Sequence, residues 1–152
     1  MSDVRFREAR ARDLPAIVAM LADDALGRSR EDLQAIEAYS LAFGQIEGDV
    51  HNRIIVGGKD GAAIACLQLT FIKGLSRKGA MRALVEGVRV IASERGSGVG
   101  EVLMRHAIAL SKGAGCRLVQ LTSDKRRDRA HEFYRRLGFV DSHEGFKLEF
   151  AP

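Results

Sequence analysis

The run Arg95-Gly96-Ser97-Gly98-Val99-Gly100 lies between a valine-rich segment, Leu84–Ile91, and an apolar stripe at helical spacing: Val99, Val102, Leu103, His106, Ala107 and Leu110. A strand, a glycine turn and a helix in that order bring backbone N–H groups together at a helix N-terminus, where the macrodipole favours anions. Glycine removes the Cβ atoms that would hold a phosphate off the backbone. Glu101 and Val102 follow Gly100 where a nucleoside-triphosphate loop carries Lys and Ser or Thr, so that chemistry is disfavoured. A dinucleotide fingerprint fits no better. It needs a glycine where Glu101 stands, and only about fifty residues remain to complete such a fold. The three glycines also suit a bare strand-to-helix turn with no ligand at all.

Two further side chains have proton chemistry to offer. Glu86 is an acid in an otherwise apolar strand, nine residues before Arg95. Such a carboxylate serves as a base toward an amine, or as half of an ion pair with Arg82 or Arg89. Tyr134 shares a helical face with Ala130, Phe133 and Leu137. Its phenol is a proton donor, or a core aromatic whose hydroxyl needs a polar partner. His131, three residues before Tyr134, reads as a surface histidine, and Asp23, Asp24 and Arg28 as a solvated loop. Cys66 and Cys116 lie in or beside apolar runs without a CxxC partner, and the four histidines are scattered, so no metal site is expected.

The elements that must position these groups follow from periodicity. Val4–Glu8 alternates as a strand; Leu14, Ile17, Val18 and Leu21 recur as a helix with Asp13 as N-cap; a second helix runs from Glu31 to Phe43. Asp60-Gly61 joins two β-prone runs, Ile54–Val56 and Ala62–Ile72, as a hairpin. Leu84–Ile91, Arg117–Thr122, Phe139–Val140 and Phe146–Phe150 read as strands, with helices from Val99 to about Gly113 and from Asp128 to Gly138. The order β-α-α-β-β-β-α-β-α-β-β defines an α/β domain with a mixed, mostly antiparallel sheet flanked by helices. At 152 residues, with 46% hydrophobic and 29% charged residues, one domain over residues 3–150 is expected. No apolar run suits a membrane span and the start lacks a signal-peptide pattern, so a cytoplasmic protein without a membrane partner is expected. The net charge of +4 fits an anionic cofactor as well as a nucleic acid, and 6% aromatics with no nucleic-acid motif point away from the latter.

Arg95-Gly96-Ser97-Gly98-Val99-Gly100 resembles the central motif of the GNAT superfamily of N-acetyltransferases, Gln/Arg-x-x-Gly-x-Gly/Ala between a strand and a long helix. Ala130 to Phe139 is similar to the family's second signature, Ala-x-x-x-Tyr-x-x-x-Gly-Phe. The resemblance is specific from about Val85 to Phe139; the N-terminal half agrees in element order only. It implies a sheet splayed at its central strands, with Gly87 suited to the bulge that opens the slot. It implies acetyl-CoA as cosubstrate and no metal: Val88, Arg89 and Val90 meet the pantetheine arm and acetyl carbonyl, and Arg95, Gly96, Ser97, Gly98, Val99, Gly100 and Glu101 wrap the pyrophosphate. Tyr134 is implied as the acid at the CoA sulfur and Glu86 as the base. One position departs from the pattern: Arg127 stands where many members carry Asn, as a coenzyme contact or as part of a solvated basic turn.

On this reading the chain acetylates a primary amine, that of a small molecule in preference to a protein N-terminus or lysine, since few residues remain for a peptide platform. A non-catalytic acyl-CoA-binding module is the alternative from another class. The apolar alternation of Phe146-Lys147-Leu148-Glu149-Phe150 suggests an edge strand that pairs two copies.

Overall fold

The computed structural model describes residues 3–24 and 26–152 and divides into two compact units, Met1–Gln120 and Leu121–Pro152. The first unit runs β1 (Arg5–Glu8), α1 (Leu14–Ala22), α2 (Gly27–Arg30), α3 (Ile36–Glu47), β2 (Asn52–Lys59), β3 (Ala62–Ile72), a single irregular turn α4 (Ser76–Gly79), β4 (Arg82–Val90), α5 (Val99–Gly113) and β5 (Leu118–Gln120). Its five strands form one mixed sheet in the order β1-β2-β3-β4-β5, antiparallel up to β4 and parallel between β4 and β5. The α/β class with a mixed sheet flanked by helices is as the sequence implied.

β2 and β3 meet through Asp60-Gly61, both at positive φ, with Lys59 opposite Ala62. This two-residue turn has the twist a hairpin requires. Alternate residues then face opposite sides. On one side Val56 and Cys66 pack with Leu14, Ile17 and Met20 of α1 and Phe43 of α3. Ile55, Leu67, Leu69 and Val85 point the other way and are buried, as are Val99, Leu103, Met104 and Ala107 of α5, which packs on β3 and β4. Phe6 of β1 stacks on His106 of α5 at 5.1 Å between ring centroids.

Three expectations are corrected. Asp13 stands at the N-cap position of α1 but does not cap it. Its carboxylate takes two hydrogen bonds from the Arg7 guanidinium, at 2.7 and 2.9 Å, and one from the Arg10 N–H at 2.7 Å, which ties β1 to the start of the helix. The second predicted helix begins later, at Ile36, because Asp32 accepts from the Gln34 N–H in a side-chain turn that competes with helix at 31–35.

The third correction concerns the second unit, which holds α6 (Asp128–Arg136). After it, Phe139–Val140 and Phe146–Phe150 form no strand. A strand exists only by pairing, and this segment has no ladder partner among the described residues. Phe146, Leu148 and Phe150 are 91%, 83% and 87% exposed.

Candidate active site

β4 carries or adjoins the candidate residues of the first unit. It pairs with β5 only from Arg82 to Leu84, opposite Leu118 to Gln120. From Val85 to Val90 it keeps β3 on one side and, among the described residues, has no ladder partner on the other. The register with β3 breaks at the same place: Cys66 faces Arg89 and Gln68 faces Glu86, so Gly87 and Val88 together stand opposite Leu67. This is a β-bulge, and Gly87 occupies it at φ +62°, where a side chain is strained. Thus the bulge expected at Gly87 is present.

The Ile91 N–H donates to Ile64 of β3 at 2.9 Å. Strand alternation therefore directs the N–H of Val90, and with it that of Val88, to the open edge. Their carbonyls accept from side chains rather than from a strand. The Val88 carbonyl takes the Arg89 guanidinium at 2.9 Å and the Val90 carbonyl the Arg95 Nε at 3.2 Å.

From Val90 the chain makes a short 3-10 turn, Ala92–Glu94, held by Lys59 on Glu94 at 3.0 Å. Gly96 and Gly98 follow at φ +79° and +90°, and α5 begins at Val99. The turn at Gly98 needs the left-handed region, which is why a glycine and not Ser or Asp stands at the N-cap. The helix consequently has no side-chain cap. The first intrahelical donor is Val102, to Gly98 at 3.2 Å, so the N–H groups of Val99, Gly100 and Glu101 point out of the first turn toward any anion there. An open strand edge that leads into uncapped amides offers a continuous row of donors to an extended ligand with an anionic end. Glu101 itself holds Arg105 at 2.9 Å.

Glu86 is exposed and makes no ion pair among the described residues, so neither Arg82 nor Arg89 neutralises it. Although its neighbours in sequence are apolar, Glu86 projects away from the face that carries the buried Val85. Cys66 sits behind the bulge with its Sγ 3.8 Å from the Gly87 carbonyl. Burial pushes its thiol up to about 12, so it stays protonated at neutral pH and is no nucleophile.

In the second unit Tyr134 lies on α6, half-buried, edge-on to Phe133 at 5.2 Å and to Phe139 at 6.0 Å. Arg127 occupies the N-cap of α6, where its carbonyl accepts from the His131 N–H. His131 is half-buried with Nε2 2.8 Å from the Asp124 carbonyl. The Arg126 side chain holds the Asp124 carboxyl well below its usual range.

Sequence reasoning missed how the loop after α1 is engaged. Asp23 pairs with Arg95 at 3.0 Å and Asp24 with Arg89 at 3.4 Å. The signal was present as two consecutive acids at the end of a helix, where the macrodipole disfavours them.

This fold and this site define a class: an α/β domain in which a strand with an open edge leads through a glycine turn into an uncapped helix. The family model of the acetyltransferase (GNAT) family matches residues 14–139, and the chain belongs to that family. Its structure is similar to that of a protein from Bacillus halodurans C-125 described as a transcriptional regulator, at 44% identity and TM-score 0.94 over 97% of this chain and 99% of that one. It is also similar to a candidate acetyltransferase from Agrobacterium tumefaciens str. C58, at 29% identity and TM-score 0.86 over 96% and 99%. Glucosamine-6-phosphate N-acetyltransferase from Arabidopsis thaliana shares the fold, at 18% identity and TM-score 0.75 over 97% and 99%. No curated protein gave a significant match. Among the described residues no group of His, Cys, Asp or Glu is arranged to hold a metal ion, and no helix is long and apolar enough to cross a membrane.

Proposed function

We propose that this chain acts as one acetyltransferase domain over residues 3–150 and moves the acetyl group of acetyl-CoA directly to a primary amine of a small molecule in the cytoplasm. The observation that carries this reading is the edge of β4 left open from Val85 to Val90, continuous with the uncapped amides of α5. The amine nitrogen attacks the thioester carbonyl, the new C–N bond forms, and the C–S bond breaks to release a thiolate. The Val90 N–H polarises the carbonyl. Glu86, exposed to solvent, takes the amine proton. Tyr134, on its place in the second family signature, protonates the sulfur, and Arg127 contacts the coenzyme phosphates. The Arabidopsis relative acts, by its name, on an amino sugar, which supports a small acceptor.

Two measurements test this. Acetyl-CoA should raise the melting midpoint by mass action, where ATP and NAD should do far less. A panel of small amines and peptides, followed by CoA thiol release, should then find turnover on a small amine and a pH-dependent loss in Glu86→Gln that higher pH repairs. Equal stabilisation by ATP, or turnover confined to peptides, would refute the reading. A regulatory role is the second reading, carried by the name of the 44% identical Bacillus halodurans protein. Binding of acetyl-CoA without turnover on any amine would favour it.

The exposed apolar side chains of Phe146, Leu148 and Phe150 bury against a second copy of the chain to form a homodimer. Light scattering should give a dimer mass, and Phe146→Asp with Phe150→Asp a monomer. A wild-type monomer at high concentration would remove this proposal.

A further inference from the structure

Asp23 closes α1 as its C-terminal cap residue, and Asp24 follows it. Two carboxylates at the negative end of a helix dipole are mutually repulsive and locally unfavourable. They are held by two arginines of the β4–α5 segment: Arg95 Nη2 reaches the Asp23 carboxylate at 3.0 Å and its carbonyl at 3.4 Å, and Arg89 Nη2 the Asp24 carboxylate at 3.4 Å. Asp24 also accepts from the Gly27 N–H at 2.5 Å, which starts α2. The loop between α1 and α2 is thus clasped to the strand and turn that receive the coenzyme.

The two clasps differ. Arg89 is mostly buried, its side chain 14% exposed, whereas the side chains of Arg95 and Asp23 are 50% and 48% exposed. Arg95 directly precedes Gly96 and is steered over the strand end by its Nε bond to the Val90 carbonyl. An exposed pair of this kind is weak, and a guanidinium prefers a phosphate bearing more charge and a matching fork of oxygens.

We infer that Asp23 is a placeholder for the coenzyme's pyrophosphate at Arg95. Docking of the pyrophosphate on Gly96–Glu101 draws Arg95 away from Asp23, while Arg89 keeps Asp24. The end of α1 then loses its Arg95 clasp, and Asp23 is left without that partner at the helix end. Coenzyme occupancy is in this way coupled to the loop. The inference rests on the acyl-CoA reading above and adds Asp23, acting through Arg95, as a positioning residue.

A double-mutant cycle read by calorimetric titration of acetyl-CoA tests it. Asp23→Asn spares Arg95 the competing partner, so affinity should rise roughly 1.5- to 5-fold. In an Arg95→Gln background the same Asp23→Asn change should do nothing. A pair that merely braces the loop would instead give weaker binding in Asp23→Asn. A gain that persists without Arg95 would reveal a general field effect on an anionic ligand. Either result, or no change, overturns the inference while wild-type binding upholds the acyl-CoA reading. Failure of the wild type to bind acetyl-CoA overturns both.

Discussion

Tyr134→Phe should fold as the wild type does, bind acetyl-CoA with unchanged affinity, and turn over roughly 10²–10⁴-fold more slowly. The substitution removes one oxygen and keeps a ring edge-on to Phe133 and Phe139, so α6 loses no packing. Affinity should survive because the proposed phosphate contacts, the backbone N–H groups of the β4–α5 turn with Arg95 and Arg127, do not include the phenol. What disappears is the proton that the proposed mechanism delivers to the departing sulfur. Steady-state kinetics on an amine from the panel, beside a titration of acetyl-CoA, measures both quantities. Near-normal kcat would mean that solvent protonates the thiolate and that Tyr134 is only a packed aromatic.

Loss of the Asp13 carboxylate should damage stability far more than the loss of any exposed ion pair of this chain. Asp13→Ala removes three hydrogen bonds, two of them from Arg7, and leaves that guanidinium, among the described residues, with the Glu8 carbonyl of its own strand as acceptor. Asp13 is 6% exposed, so solvent replaces little of what is lost. A cost of about 2–4 kcal/mol in urea unfolding at pH 7 is expected. The Arg7 hydrogen bonds hold the Asp13 carboxyl below its ordinary value, against the opposing effect of burial. A lowered folded value means that the stabilisation is complete above the unfolded pKa near 4 and fades as pH falls through the folded one. The gap between wild type and Asp13→Asn should therefore hold from neutral pH down to about pH 5 and shrink at lower pH. A gap that stays constant to pH 2 would show that the charge is not what stabilises this junction.

The central half of the molecule was legible because each signal there is local. Asp60-Gly61 makes its hairpin by its own φ values, and Gly87 and Gly98 lie where only a glycine is at ease. Tyr134 and the glycine turn were singled out by motif, which gives a position but no environment. Long-range pairing is where pattern reasoning ran out. The acid at position 13 looks like a helix cap until β1 brings Arg7 beside it. Asp23 and Asp24 look solvated until the β4–α5 turn supplies Arg95 and Arg89, 72 residues away in the case of Asp23 and Arg95. The surroundings of Glu86 were hidden in the opposite sense, since an acid among apolar neighbours in sequence projects to the exposed side of its strand. The alternation at Phe146–Phe150 marks the propensity of a strand, and propensity alone supplies no edge to pair with.

The order of strands across the sheet is the order of strands along the chain. Each newly made strand therefore finds its neighbour's edge already in place, and no later connection has to pass between two earlier ones. β2, β3 and β4 form a continuous meander, while β5 reaches β4 only after the whole of α5 has crossed over. The β4–β5 seam, beyond which the edge of β4 lies open, is thus the last seam of the sheet to be completed in chain order, and it can part without unpairing the meander.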